Sequence, residues 1–351
     1  MENVVYFLGA GFSAPLGLPV MSNFIEKAKD IYYIEGDKKK GFEKVFKKLD
    51  SLSKIHNYFQ TDLSNIEEVL SILWIKNSIN KPNNFNDFVD FISQTLLHYQ
   101  SKLKLSGTRY TGNWSSHLIS QYDPKLNSYA EFILSISNAT MYMKNFVNQF
   151  VGQIDLTNEN EFHYDVVTLN YDTIIEKIAQ QINNNTIRDG QRLSYQKNEF
   201  EENNKIPCLL KLHGCIEDGS IVPPTWSKNI NKKIAHIWKR AHSVLSNAHY
   251  IRFIGYSLPE TDSYIKYLLK SAMLDSEHLK GIDVICLDYD GSVYNRYKQA
   301  IKLKNFRFFK GDFMDVLNRY TDKHRVTTGE IRKFTDFEHS YNSFMKERGI
   351  N

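Results

Sequence analysis

Cysteine is scarce in this 351-residue chain, which carries only Cys208, Cys215 and Cys286. Three scattered thiols without a C-x-x-C pair build neither a disulfide framework nor a four-cysteine zinc site, and they fit a reducing, cytoplasmic setting. His236, His242 and His249 stand six and seven apart, a spacing that offers no metal pair, so no metal is expected. No run approaches the roughly 20 apolar residues that a membrane span needs. The apolar opening Val4 to Leu18 lacks the basic start of a secretion signal, having Glu2 there, and glycines interrupt it, so it reads as folded sequence. Glycine and proline are few, 17 and 8, which excludes collagen-like and low-complexity chains. Neither sign of charge dominates: 44 Lys and Arg face 40 Asp and Glu, too even a balance to argue for a nucleic-acid or membrane partner.

What is present is an alternation of two textures. Short β-rich apolar runs occur at Val4–Leu8, Val166–Leu169, Cys208–Leu212, Tyr250–Ile254, Val284–Leu287 and Phe306–Phe309, most of them followed by a helix-like stretch. That pattern predicts an α/β fold: a Rossmann-like parallel sheet of about six strands with helices on both faces. From about 40 to 160 no such run is evident, and apolar residues recur at three and four, as in Ile66, Val69, Leu70, Leu73 and Phe88, Phe91, Ile92, Leu96. An inserted helical module is expected there, with loops at Gly107 to Trp114 and Asp123-Pro124. Its aromatics Phe85, Phe88, Phe91, Trp114, Tyr142 and Phe146 read as core, and the six lysines from Lys38 to Lys48 as a solvated face. The polar stretch Asn183 to Lys205 suggests a hairpin or loop. The divisions are then 1–25 with 161–321 for the sheet domain, 26–160 for the module, and 322–351 for a helical tail. The tail's Phe334, Phe337, Tyr341 and Phe344 suggest a docking or oligomerisation helix.

Gly9-Ala10-Gly11-Phe12-Ser13-Ala14 follows the first strand and matches G-x-G-x-x-[GA], in which glycines let the backbone approach a pyrophosphate at a helix N-terminus. A side chain at Gly11 is expected to occupy the phosphate's space. A tight strand-to-helix turn is the plainer reading of the same residues. No second strand ending in an acidic residue follows within reach, which counts against an ordinary dinucleotide-dependent dehydrogenase.

The glycine loop continuing to Gly17-x-Pro19, then Thr168-Leu169-Asn170-Tyr171-Asp172, Leu212-His213-Gly214 and Gly255-Tyr256-Ser257, resembles in order the motifs of the sirtuin family. Each falls at the C-terminal end of an expected strand, where an open parallel sheet binds its ligand. Leu287-Asp288 and Gly311-Asp312-Phe313 extend the likeness. The resemblance implies NAD as substrate, with Asn170, His213 and Asp172 catalytic and Gly9, Ala10, Gly11, Ser13, Pro19, Thr168, Gly255, Ser257, Asp288 and Phe313 in contact with it. Asp172 can equally be a helix N-cap, Ser257 a cap for the helix after it, and Asp288 a turn residue with Asp290-Gly291.

The cysteine pairs of the deacylases' zinc module are missing after His213-Gly214, where the chain runs Cys215-Ile216-Glu217. In this the chain resembles prokaryotic sirtuin-like NAD hydrolases that act as antiphage effectors. Such a protein would be a cytoplasmic homo-oligomer, either alone or with a separately encoded HerA-type ATPase or Argonaute-like protein. Direct nucleic-acid binding is not expected. A non-catalytic NAD or ADP-ribose sensor, and a deacylase or ADP-ribosyltransferase, are the competing readings.

Overall fold

The computed structural model describes residues 1–36, 40–59, 61, 63, 65–80, 85–105, 123–146, 149–156, 161–185, 193–196, 206–217, 219–222, 232–323, 331–333 and 337–350. Its first strand, β1 (Glu2–Leu8), is buried on both faces because its apolar run leaves no polar side. Tyr6 and Leu8 point into one core, while Val5 and Phe7 point into the other.

The remaining strands are β2 (Ala139–Phe146), β3 (Gln149–Leu156), β4 (Phe162–Thr168), β5 (Leu209–Lys211), β6 (Tyr250–Ile254), β7 (Gly281–Cys286), β8 (Phe306–Lys310) and β9 (Ile331–Lys333). Six of them form one parallel sheet in the order β5-β4-β1-β6-β7-β8. All six runs named from the sequence are in it. The chain winds outward from β1 in one direction and then, from β6, in the other. The crevice of such a sheet opens where the winding reverses, beyond the C-terminal ends of β1, β4 and β6.

The helices are α1 (Phe24–Glu35), α2 (Lys40–Leu52), α3 (Ile66–Asn80), α4 (Phe85–Ser101), α5 (Pro124–Ile136), α6 (Ile174–Asn185), α7 (Lys232–Ser246), α8 (Ser263–Leu274), α9 (Ser292–Ala300), α10 (Phe313–Lys323) and α11 (Phe337–Arg348). Helices α7, α8 and α9 cover one face of the sheet, and the others share the core on the opposite face. The Asp123-Pro124 pair is a helix start: Asp123 accepts the Lys125 N–H at 2.9 Å and Pro124 opens α5. From Leu126 to Ile136 every residue of α5 is buried. Phe132 fixes it to the sheet, its ring 5.1 Å from that of Tyr6.

Two expectations need correction. The stretch before residue 160 is not wholly helical, because β2 and β3 pair antiparallel and β9, from the tail, adds to β2 as a third strand. The β-favouring Thr140, Tyr142, Phe146, Phe150, Val151 and Ile154 are the signal for this hairpin; two aromatics four apart imitate a helix. The tail therefore includes a strand, and its helix is docked within the chain: Phe337, Tyr341 and Phe344 of α11 are buried in the main core. Phe88 and Phe91 are core as expected. The loop at Gly107 to Trp114, Phe334 and most of Asn183 to Lys205 lie outside the described residues.

Candidate active site

After Leu8 the chain makes two short 3-10 turns, Ala10–Phe12 and Ala14–Leu16, rather than entering an α-helix directly. Their shape follows from a backbone crossing. Gly9 donates its N–H to Ile254 O at 3.0 Å and Gly11 to Gly255 O at 2.9 Å. A Cβ on Gly11 would lie 2.7 Å from Gly255 Cα, and one on Gly9 would lie 2.6 Å from Gly255 O. Gly255 itself has φ +64°, and a Cβ there would run into the backbone of Gly11 and Phe12. The loop after β1 and the loop after β6 are thus pressed together through three glycines. This corrects the expectation for Gly11, whose missing side chain makes room for protein backbone. Tyr129 of α5 secures the turn from below, donating its hydroxyl to Phe12 O.

Asn170, just past β4, meets this loop. Its backbone N–H is held by the Thr168 hydroxyl at 3.0 Å, and its side-chain Nδ2 donates to Gly9 O at 3.0 Å and to Ser13 Oγ at 3.1 Å. A carbonyl can only accept, so the Gly9 contact decides which end of the amide is NH2. The Asn170 Oδ1 takes no hydrogen bond among the described residues. Ser13 passes the polarity on, donating to Asp172 Oδ2 at 2.8 Å, and Asp172 Oδ1 accepts the Ile174 N–H at 3.2 Å. Asp172, two residues ahead of α6, therefore both satisfies the first N–H of that helix and anchors the Ser13–Asn170 chain. Lys211 completes the support. Its ammonium donates to Asp172 O and lies 3.2 Å from Glu176. Burial alone would push this lysine down, but the charges of Glu176 and Asp172 outweigh it and hold the ammonium above its ordinary range. Lys211 escaped the sequence reading, although a lysine inside a buried apolar strand is a signal in its own right.

These residues border a cavity of about 650 Å³, in the size range of a nucleotide site. Gly9, Ala10, Gly11, Ser13, Pro19, Asn170, Asp172, Gly255, Ser257 and Phe313 line it. Ile66 of α3 and Ile92 and Leu96 of α4 form an apolar wall that the motifs did not foretell. Cys286 also lines it, but burial first and Asp288 second push the thiol up to about 12, which disfavours the thiolate a nucleophile needs.

Three expected site residues lie behind that lining. Thr168 is buried and donates its hydroxyl to Leu8 O at 3.3 Å, which makes it a support for Asn170. Asp288 accepts the N–H groups of Val293 and Tyr294, each at 3.1 Å, and closes the turn before α9. His213 is 0% exposed, and the ring of Tyr171, which does line the cavity, packs on it at 5.9 Å. Gly214 follows at φ +86°, where a Cβ would collide with Ser220. Ser257 lines the cavity and sits six residues ahead of α8, so it is not that helix's cap.

Residues 165–307 match the family model described as SIR2-like domain. Over this stretch the chain is sirtuin-like. The matched segment begins inside β4 and ends in β8, so it carries Asn170, Asp172, His213, Gly255 and Ser257 but not the Gly9–Ser13 loop that the fold brings against them. SIR2-like domains are typically NAD-dependent enzymes, and the match points to an NAD-related function. No curated protein matches the chain. Among the described residues there is no group of three or more His, Cys, Asp or Glu placed to hold a metal, and no helix is long and apolar enough to cross a membrane.

Proposed function

We propose that this protein hydrolyses NAD to nicotinamide and ADP-ribose. The observation that supports this best is the fixed amide of Asn170. Both hydrogens of Nδ2 are committed to Gly9 O and Ser13 Oγ, which leaves Oδ1 as the acceptor on a residue that lines the cleft. An acceptor so held can orient a ribose hydroxyl or the attacking water without rearranging as the reaction proceeds.

The bond from nicotinamide to ribose is glycosidic, and its rupture builds positive charge on the anomeric carbon. The pyridinium leaving group already carries its positive charge, so no acid is required to expel it. The protein has to orient the ribose, place a water and accept its proton. Asn170 serves the first two needs. His213 serves the third, since a neutral imidazole nitrogen can accept a proton. His213 is buried with the Tyr171 ring packed against it, and we read this as a resting arrangement that withholds the base, as a regulated effector that depletes cellular NAD in antiphage defence would need. Assembly as a homo-oligomer, or with a separately encoded ATPase or Argonaute-like partner, would be the trigger that frees it.

The sealed His213 also favours a second reading, a sensor that binds NAD or ADP-ribose without turnover. Incubating the purified chain with NAD and resolving the products separates the two. Release of nicotinamide with ADP-ribose supports hydrolysis; saturable binding of intact NAD at all protein concentrations supports the sensor.

A further inference from the structure

The C-terminal end of α4 makes a contact that the sheet motifs leave unexplained. Gln100 is 2% exposed, and its side chain grips Thr173 twice: Nε2 donates to Thr173 Oγ1 at 2.8 Å, and Oε1 accepts the Thr173 N–H at 2.9 Å. Thr173 Oγ1 then donates to Glu217 Oε1 at 2.9 Å. None of the three lines the cavity. Their neighbours are the residues that matter to it: Thr173 follows Asp172, and Glu217 lies on the segment that begins at His213-Gly214. One or two turns earlier on the same helix, Leu96 and Ile92 do line the cavity.

We infer that Gln100 is a positioning residue, which sets the loop of Asn170 and Asp172 against the segment of His213 and couples both to the cavity wall formed by α4. The inference rests on the NAD-cleaving reading for its effect on rate, but not for the clamp itself. Its chemistry is directional. The Thr173 hydroxyl has one proton, already given to Glu217, so its other polar contact must come from a donor, and the carboxamide is the side chain that can donate there while accepting the adjacent N–H. A ligand that presses on Leu96 and Ile92 moves the helix that holds Thr173. The catalytic loops then shift together.

The test compares Gln100→Leu, Gln100→Glu, Thr173→Val and Thr173→Ser in the full chain. Gln100→Leu and Thr173→Val should each lower kcat for NAD cleavage by about 10- to 100-fold, the scale for a misplaced catalytic group, with KM within about twofold. Their combination should be no worse than either alone, because both break one contact. Thr173→Ser keeps the hydroxyl and should retain most of the rate. Gln100→Glu places a second carboxylate on the hydroxyl that Glu217 already uses, so its rate relative to the parent should fall as pH rises and one of the two carboxyls loses its proton. Amide exchange gives the readout that needs no turnover: in Gln100→Leu, peptides covering 170–176 and 213–217 should exchange faster while the six strands of the parallel sheet keep their protection. Unchanged kcat with unchanged exchange in both peptides would overturn the inference, as would a uniform loss of protection throughout the sheet, which would mean that Gln100 only supports the fold. If the parent chain cleaves no NAD at any protein concentration, hydrolysis by this chain without a partner falls, and the clamp stands or falls on the exchange data alone.

Discussion

Arg252, at the middle of β6, and Glu338, in the first turn of α11, form a two-pronged ion pair inside the protein. The guanidinium Nη1 donates to Glu338 Oε2 at 2.9 Å, and Nη2 donates to Oε1. Tyr6 accepts from the same Nη1 at 2.7 Å, and the Tyr341 ring lies 3.8 Å from the guanidinium carbon. The pair fastens the tail to the sheet, beside the buried Phe337, Tyr341 and Phe344. Taking Glu338 away would leave this fully buried cation only Asp283, 3.9 Å from its Nε and already paired with Arg307, as counter-charge, and breaking a buried pair in this way typically costs about 3–5 kcal/mol. Glu338→Ala, or removal of the chain after residue 336, should lower the melting temperature sharply and lose NAD binding only together with the fold. Truncation that alters assembly while leaving a folded enzyme of parental stability would contradict this.

The same pair predicts an acid limit. Burial raises the Glu338 carboxyl, but Arg252 and the hydrogen bonds from Arg252, Tyr164 and Asn342 outweigh it and hold the group below its ordinary range. A folded-state value below the unfolded one contributes stability that is complete above the ordinary carboxylate pKa and fades as pH falls through the lower value. Denaturant midpoints followed between about pH 5 and pH 2 should therefore fall more steeply for the parent than for Glu338→Gln. Parallel curves would remove the pair from the account of acid stability.

Asn170→Ala should abolish most NAD cleavage. The expected loss is at least about 100-fold in kcat/KM, since the fixed acceptor disappears along with the link to Ser13. Ser13→Ala breaks the Asn170–Asp172 chain at its middle and should produce a smaller loss in the same direction. Thermal unfolding of both variants near the parent's would place the effect in the site; the decisive outcome against the proposal is full activity in Asn170→Ala.

Gly11→Ala should cost stability and activity together. The added methyl meets Gly255 Cα and not empty space, so the two loops must part before any ligand arrives. Calorimetry of the ligand-free chain is the check, and a variant with the parent's melting temperature but weaker NAD binding would return the glycine to the phosphate role.

Tyr171→Ala should raise the rate of NAD cleavage by uncovering His213, whereas Tyr171→Phe, which keeps the ring, should not. Steady-state rates of both, compared with His213→Ala, distinguish a cover from a participant. A fall in rate for Tyr171→Ala, with the fold intact, would mean that the ring itself serves the reaction.

The parallel sheet was legible because its strands are buried on both faces, and such strands must be nearly continuous apolar runs, as Val4–Leu8 and Val284–Leu287 are. Asn170, Ser13 and Gly255 were legible because short polar or glycine motifs at strand ends have one natural place in such a sheet. The use made of them was not. Gly11 reads the same in a sequence whether phosphate or Gly255 fills the space beside it, and the sealing of His213 depends on how the Tyr171 ring packs. Gln100 carries no motif at all; its meaning lies in Thr173, 73 residues further on. The β2–β3 hairpin was hidden by side-chain spacing that satisfies two periods at once.

The placement of β1 bears on when activity can appear during synthesis. Its neighbours in the sheet are β4 and β6; Gly9 meets Asn170 at the cleft across 161 residues, and Tyr6 meets Arg252 in the core across 246. Contacts so distant in sequence form late and slowly. The opening glycine loop thus leaves the ribosome early but stays without its other walls until β6 has followed, and Arg252 waits longer still for Glu338. A ribosome that stalls between β6 and the final helix releases a fragment in which Arg252 lacks Glu338. Whatever chemistry the cleft performs, this topology ties it to a chain in which the final helix has been made and packed.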